Sequence, residues 1–205
     1  MKADLKKDLK ALYQPPSKDF VEVNVPPATY LAIDGTGDPN TSPAYAAAVQ
    51  ALYTAGYSIK FALKARTGDD FVVGPLEGLW FAEDPAVFAS GAKDHWEWTM
   101  LIPLPSLVGQ EVIDAGLASA RNKKPELPIE QLRILLLEEG RCLQIMHIGP
   151  YDAEAPTLHR LHHELMPQRG FTWNGPHHEI YLSDPRRTAP EKLRTVLRQP
   201  VRPIG

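Results

Sequence analysis

The chain repeats its own plan. Residues 19–85 read extended, extended, helical, extended, and residues 131–185 read so again. The copies share punctuation. Ser42-Pro43 and Ala155-Pro156 open the two helices, and Gly56-Tyr57 and Gly170-Phe171 fall at matching points. Gly74-Pro75 and Gly175-Pro176 each lead into an apolar strand, residues 76–81 and 177–182. Two copies are too few for a solenoid, whose continuous core needs three or more. They suit a pseudo-two-fold domain with a small-molecule cleft where the halves meet.

Periodicity fills in the plan. Leu5, Leu9 and Leu12 give residues 3–13 a short amphipathic stretch. Residues 20–25 alternate as a half-buried strand, and 29–33 continue as a second. Ser42 reads as an N-cap with proline at N1, and Tyr45, Val49, Leu52, Tyr53, Gly56, Lys60 and Leu63 carry a helix over 43–64. Strands follow at 71–82 and 95–102, joined by a loop at 83–94, and a small-residue helix at 106–124 links the halves. In the second half, 132–137 and 142–148 read as a hairpin turning at Glu138-Glu139-Gly140-Arg141. A helix over 156–169 ends at Gly170, a strand spans 177–183, and the proline-bounded tail carries a short helix near 190–197. The expectation is one α+β domain over 1–205, a duplicated ββαβ-type unit. Its half-repeats lie at about 19–103 and 131–185. The sheet is mainly antiparallel, with helices on one side and a central ligand cleft.

Composition excludes several classes. A net charge of -3 weighs against nucleic-acid binding, which selects a basic face. Cys142 is the single cysteine and reads as a core hydrophobe in a reducing, cytoplasmic setting. No apolar run is long enough for a bilayer, and the charged first ten residues lack a secretory h-region. No P-loop, dinucleotide fingerprint or Gly-x-Ser-x-Gly elbow is present, so no cofactor is expected. His159, His162, His163 and Glu164 have helical spacing but lack the glutamate that a zinc-protease helix sets between its histidines. They read as a solvated histidine face, and no metal is expected.

The chemistry concentrates in residues 177–183. Ile180 and Leu182 turn one face of this strand to the core, which leaves Glu179 and Tyr181 side by side on the other. Laying the copies together at their Gly-Pro pairs sets Gly78 against Glu179 and Trp80 against Tyr181. The cleft would then hold Trp80, Tyr181 and a single carboxylate. Trp96, Trp98 and Met100 add to the next strand. A carboxylate among aromatic rings either counters a flat cation or serves as a general base, unless the rings fill the core and Glu179 points into solvent.

The segments Tyr57-Ser58-Ile59-Lys60-Phe61, Asp70 through Trp80, His147-Ile148-Gly149-Pro150-Tyr151, and His177 through Pro185 resemble the GyrI-like small-molecule-binding domain, in its stand-alone branch. Their order covers nearly the whole chain. The resemblance implies a pseudo-symmetric sheet with a central cleft. It implies that Glu179 is the acidic residue that pairs with cationic, aromatic drugs in the multidrug-sensing regulators of this family. Some stand-alone members resemble hydrolases that open the cyclopropane of DNA-alkylating compounds with water. On that reading Glu179 is the base, with Tyr151 or His147 as proton donor. Tyr45, Tyr57, Trp80, Trp98, Met100 and Tyr181 form the ligand-binding set. Fewer than twenty residues precede the first expected strand, so the regulators' helix-turn-helix and a direct transcription role are not expected. Two alternatives stay open: a sequestering module with the same cleft and no chemistry, and a protein-interaction role such as topoisomerase protection. The expected partner is an aromatic or cationic small molecule, with no membrane and no direct nucleic-acid contact. The oligomeric state stays open.

Overall fold

A computed structural model describes residues 2–81 and 96–205. The loop expected at 83–94 lies outside them, with the adjoining ends of its flanking strands. The N-terminal segment holds β1 (Lys2–Ala3), α1 (Leu5–Asp8) and α2 (Lys10–Tyr13). The first half holds β2 (Val21–Val25), β3 (Ala28–Thr36), α3 (Pro43–Thr67), β4 (Asp70–Phe71), β5 (Leu76–Phe81) and β6 (Glu97–Leu104). After α4 (Gln110–Lys123) come β7 (Arg133–Leu137) and β8 (Gly140–Ile148). A continuous helical run follows: α5 (Ala155–His159), a π-helical stretch (Arg160–Leu165) and α6 (Met166–Gln168). β9 (Phe171–Trp173), β10 (His177–Tyr181) and β11 (Arg194–Pro203) complete the chain. The molecule is α+β, with a largely antiparallel main sheet.

Local chemistry bounds the long helix. The Ser42 hydroxyl accepts from the Tyr45 N–H at 3.3 Å, Pro43 stands at N1, and Gly68 closes α3 at φ +77°. That left-handed conformation costs a glycine little. Gly116 on α4 lies against α3 at Ile59, where any Cβ would sit 2.7 Å from the Ile59 backbone nitrogen. The two helices therefore pack together and cover the first half of the sheet.

The main sheet runs β2-β8-β11-β10-β5-β6-β3-β7, with β9 also on β11. Its order is symmetric about the central β10–β5 pair. β2 and β3 are six places apart, yet only Pro26 and Pro27 join them; β7 and β8 are six apart, joined by Glu138 and Glu139. Six steps of a flat sheet span roughly 29 Å. A two-residue link reaches about 11 Å between the flanking Cα atoms. The sheet must therefore roll until its edges approach. The rings of Tyr30 on β3 and His178 on β10, three places apart, meet edge-on at 6.5 Å inside the roll. Each half lends its first strand to the other half's edge.

This arrangement overturns two expectations. β7 and β8 do not form a hairpin: β7 pairs with β3, and β8 with β2 and β11. Glu139 is the physical reason, because its carboxylate turns into the roll to meet Arg198 and His178 instead of capping an exposed turn. The expected helix near 190–197 is one 3-10 turn, Pro190–Lys192, before the long strand β11. The second half thus takes in β11, which holds the place of β6. Prolines at 200 and 203 and buried Arg198 and Gln199 hide that strand in the sequence, since proline argues against a central strand.

The roll has two faces. The inner one holds Tyr30, Leu79, Leu101, Cys142, Met146, Ile180 and Val196, with Leu12 and Tyr13 of α2 packed on it. It also holds a closed polar network. His178 bonds Glu139 at 2.9 Å and Glu77 at 3.0 Å, Arg198 bonds Glu139, Gln144 and the Leu12 carbonyl, and Tyr13 donates to Glu77. The outer face carries the helices. α3 and α4 pack on Leu31, Ile33, Met100 and Ile102. The α5–α6 run packs on Leu143, Ile145, Leu197 and Val201.

Candidate functional site

The site forms on the outer face, where the two halves join. In the β5–β10 pairing Gly78 lies opposite Glu179, flanked by the pairs Leu76–Tyr181 and Trp80–His177. Trp80 and Tyr181 are therefore symmetry equivalents, as the overlay of the two copies anticipates. Alternation sends His178 and Ile180 into the roll and leaves His177, Glu179 and Tyr181 outside. The Tyr181 hydroxyl donates to Glu179 Oε2 at 2.8 Å and accepts from Trp80 Nε1 at 3.1 Å. This relay from indole to phenol to carboxylate fixes the direction of both bonds, because an indole N–H only donates. Burial, with the nearby Glu179 charge, pushes the Tyr181 phenol well above its usual range.

The cleft holds a second carboxyl, Glu154, which corrects the single-carboxylate reading. It stands just before α5 and is buried, 5% exposed. Burial first, and then the charge of Glu179, raises its pKa to about 10; the Thr195 hydroxyl works weakly the other way. Glu154 is thus protonated at neutral pH beside Glu179. In sequence it reads as an ordinary acidic residue at a helix start. The available signal was its place in the repeat, since aligning Pro43 with Pro156 sets it against neutral Thr41.

The other expected residues divide. Tyr151 lies at the mouth, 36% exposed, and meets Tyr181 edge-on at 5.6 Å. Burial, then Glu154 and Glu179, pushes its phenol up to about 12. Tyr45, in the first turn of α3, has its phenol pushed up by burial and then by the charge of Glu179. Met100 is fully buried beside Gly78. His147 shares the outer face, with Thr195 between it and Tyr181. Its Nε2 lies 3.2 Å from the Pro150 carbonyl. A carbonyl only accepts, so His147 donates there and holds the turn that carries Tyr151. Trp98 meets Tyr45 edge-on at 5.2 Å, bonds the Gly37 carbonyl and lies flat on Gly35. It packs the far side of the first half. Tyr57 stands on the outward side of α3, 49% exposed, and is not brought to Glu179.

Cavities of about 450 and 480 Å³ open beside Asp34, Gly35 and Trp98, away from Glu179. The carboxyls, phenols and indole converge at Glu179 instead, and converging polar groups decide where chemistry is possible. His159 and His163 are exposed, as a solvated face requires, but His162 turns inward and stacks on Trp173 at 4.2 Å. Among the described residues no cluster of His, Cys, Asp and Glu could hold a metal ion, and no helix is long and apolar enough to cross a membrane.

The GyrI-like small molecule binding domain model matches residues 18–202. The chain belongs to this family. Two solved structures from Listeria innocua align along the whole GyrI-like fold. An uncharacterized conserved protein is 39% identical at TM-score 0.87, and a protein named as a hydrolase is 38% identical at TM-score 0.87. In both cases the alignment covers 98% of this chain and 100% of the other. The C-terminal domain of EcmrR shares the fold alone, at 11% identity and TM-score 0.58, with 91% of this chain and 98% of that one aligned. No curated protein matches.

Proposed function

We propose that this GyrI-like domain binds a flat, electrophilic aromatic compound at Glu179 and opens a strained ring in it with water, as a detoxifying hydrolase of cyclopropane-bearing alkylators. The observation that carries the reading is the pairing of two carboxyls with opposed roles. Glu179 accepts from Tyr181 and would act as the base, while buried Glu154 holds its proton and would act as the acid. A buried carboxyl held protonated at neutral pH, as Glu154 is, suits a general acid. Two Listeria relatives at 36% and 38% identity bear the name hydrolase.

Water attacks the cyclopropane methylene, and its proton passes to Glu179. The new C–O bond forms as the strained C–C bond breaks. That electron pair moves through the conjugated ring to its carbonyl oxygen, which takes the Glu154 proton and becomes a phenol. Tyr151, at the mouth, orders the ligand ring against Tyr181. The electrophile is already reactive, so positioning and a modest base suffice.

Mass spectrometry of a cyclopropyl-indole alkylator with substoichiometric protein tests this. Many equivalents of water adduct are expected from the wild type, and binding without turnover from Glu179→Gln. Intact compound bound one-to-one by both proteins would make the domain a sequestering module and Glu179 a counter-charge.

A further inference from the structure

The two halves differ most where symmetry should make them alike. Leu197 faces Glu179 as Met100 faces Gly78, and Thr195 faces Tyr181 as Trp98 faces Trp80. The same mapping matches His177 to Leu76 and Gln199 to Ile102. The first half is apolar at all four of its outer places: Leu76, Trp98, Met100 and Ile102. The second half carries His177, Thr195 and Gln199, which are 3%, 0% and 0% exposed. Buried polar atoms normally find partners. Here neither ring nitrogen of His177, nor Thr195 Oγ1, nor Gln199 Oε1 makes a hydrogen bond of good geometry among the described residues. Thr195 lies near Glu154 and Gln199 near His162, close enough for weak electrostatic contact only. The Glu179 carboxylate lies 3.6 Å from His177 Nε2, beyond hydrogen-bond reach. The Gln199 nitrogen is committed to the carbonyls of Gly175 and Pro200, so only its oxygen is left to offer.

The helical run above these strands adds a further observation. Its π-helical stretch brings His162 edge-on to His177 at 6.1 Å. Such stretches recur at functional sites. Burial, then the neighbouring His177, holds the His162 pKa down at about 3 against an opposing contribution from Gln199, and His162 Nε2 is a further buried polar atom without a well-formed hydrogen bond.

We propose that this half of the cleft is a subsite for a planar carboxamide, carried as an arm on the flat ligand that stacks at Tyr181. Gln199 Oε1 can only accept, and so takes an amide N–H. The Thr195 hydroxyl can donate to the amide carbonyl, and the His177 ring offers at least one N–H donor. A carboxylate arm meets repulsion from Glu179 and sets oxygen against oxygen at Gln199. An apolar arm leaves every group unpartnered. The proposal rests on the cleft reading given above and deepens it.

Fluorescence titration of the intact protein with 2-naphthamide, 2-naphthoate and 2-acetylnaphthalene tests it. These probes share a ring system and differ in the arm. The amide is expected to bind at least about tenfold tighter than the ketone, which lacks the donor, and tighter again than the carboxylate. Combining His177→Leu with Gln199→Ile, which copies the first half, is expected to equalise amide and ketone while both still bind. Equal wild-type affinities for all three would overturn the subsite and leave the cleft standing. No binding by any probe would overturn the cleft reading and the subsite together. The wild-type comparison decides even if the double variant does not fold.

Discussion

Gly78 and Glu179 face each other across the β5–β10 pairing, at the centre of the pseudo-symmetry. The carboxylate has a missing side chain as its mirror image. Sterics explain the asymmetry, because a Cβ at Gly78 would sit 3.1 Å from Trp80 Nε1 and 3.2 Å from Met100 Sδ.

Gly78→Ala therefore presses on two side chains of unequal stiffness. The Met100 thioether can bend away, but the Trp80 indole is tied to the Tyr181 hydroxyl. Overpacking of this kind costs about 1 kcal/mol or more. The expected outcome is that small loss of stability in urea, with at least about fivefold weaker binding of a flat ligand as the relay to Glu179 is disturbed. Unchanged affinity would mean that the space above Gly78 plays no part in binding.

His178 links the site strand to the interior. It is fully buried between Glu77 and Glu139. Burial alone would lower its pKa, but the two carboxylates win and raise it to about 9. Burial would likewise raise Glu139, but His178 and Arg198 lower it to about 2. The signs differ. The His178 contribution is complete below its ordinary 6.5 and is lost as pH rises through 9. The Glu139 contribution is complete above 4.5 and is lost as pH falls toward 2. The network therefore stabilises most between about 4.5 and 6.5. His178→Gln should cost about 3 kcal/mol or more at pH 6 in urea unfolding, because buried Glu77 loses its cation and Glu139 keeps only Arg198. The gap from the wild type should narrow at pH 9.5, where the native imidazole has also lost its charge. A gap independent of pH would mean that His178 packs as a neutral ring.

Strand facing at the site was legible because Ile180 is apolar and period-two alternation does the rest. The Gly-Pro pairs then aligned the copies and placed Trp80 against Tyr181 without any contact being known. Long-range pairing was not legible. Glu138-Glu139-Gly140 is good turn chemistry, and nothing local tells a hairpin from a crossing between sheet edges. β11 was hidden because a strand buried on both faces lacks alternation, and Arg198 and Gln199 read as surface residues. Glu154 and His162 were missed for a related reason: both are polar residues on helical segments whose inward direction depends on the packing of the α5–α6 run.

Glu154 yields the sharpest test of the paired carboxyls. The folded protein keeps its proton up to about pH 10, whereas the unfolded chain releases it near 4.5. The unfolded state thus binds fewer protons across that window, and the Glu154 contribution to stability falls as pH rises through it. Glu154→Gln has nearly the same shape and does not titrate. The variant should match the wild type at pH 4, where Glu154 is largely protonated in both states, and exceed it at pH 8. Urea denaturation at the two pH values measures this. Turnover of a cyclopropyl substrate should fall sharply in the same protein, because glutamine has no proton to give the leaving oxygen. A stabilised but inactive variant would join burial and catalysis in one residue. A variant no more stable at pH 8 would mean that Glu154 is charged beside Glu179, and that would remove it as the acid.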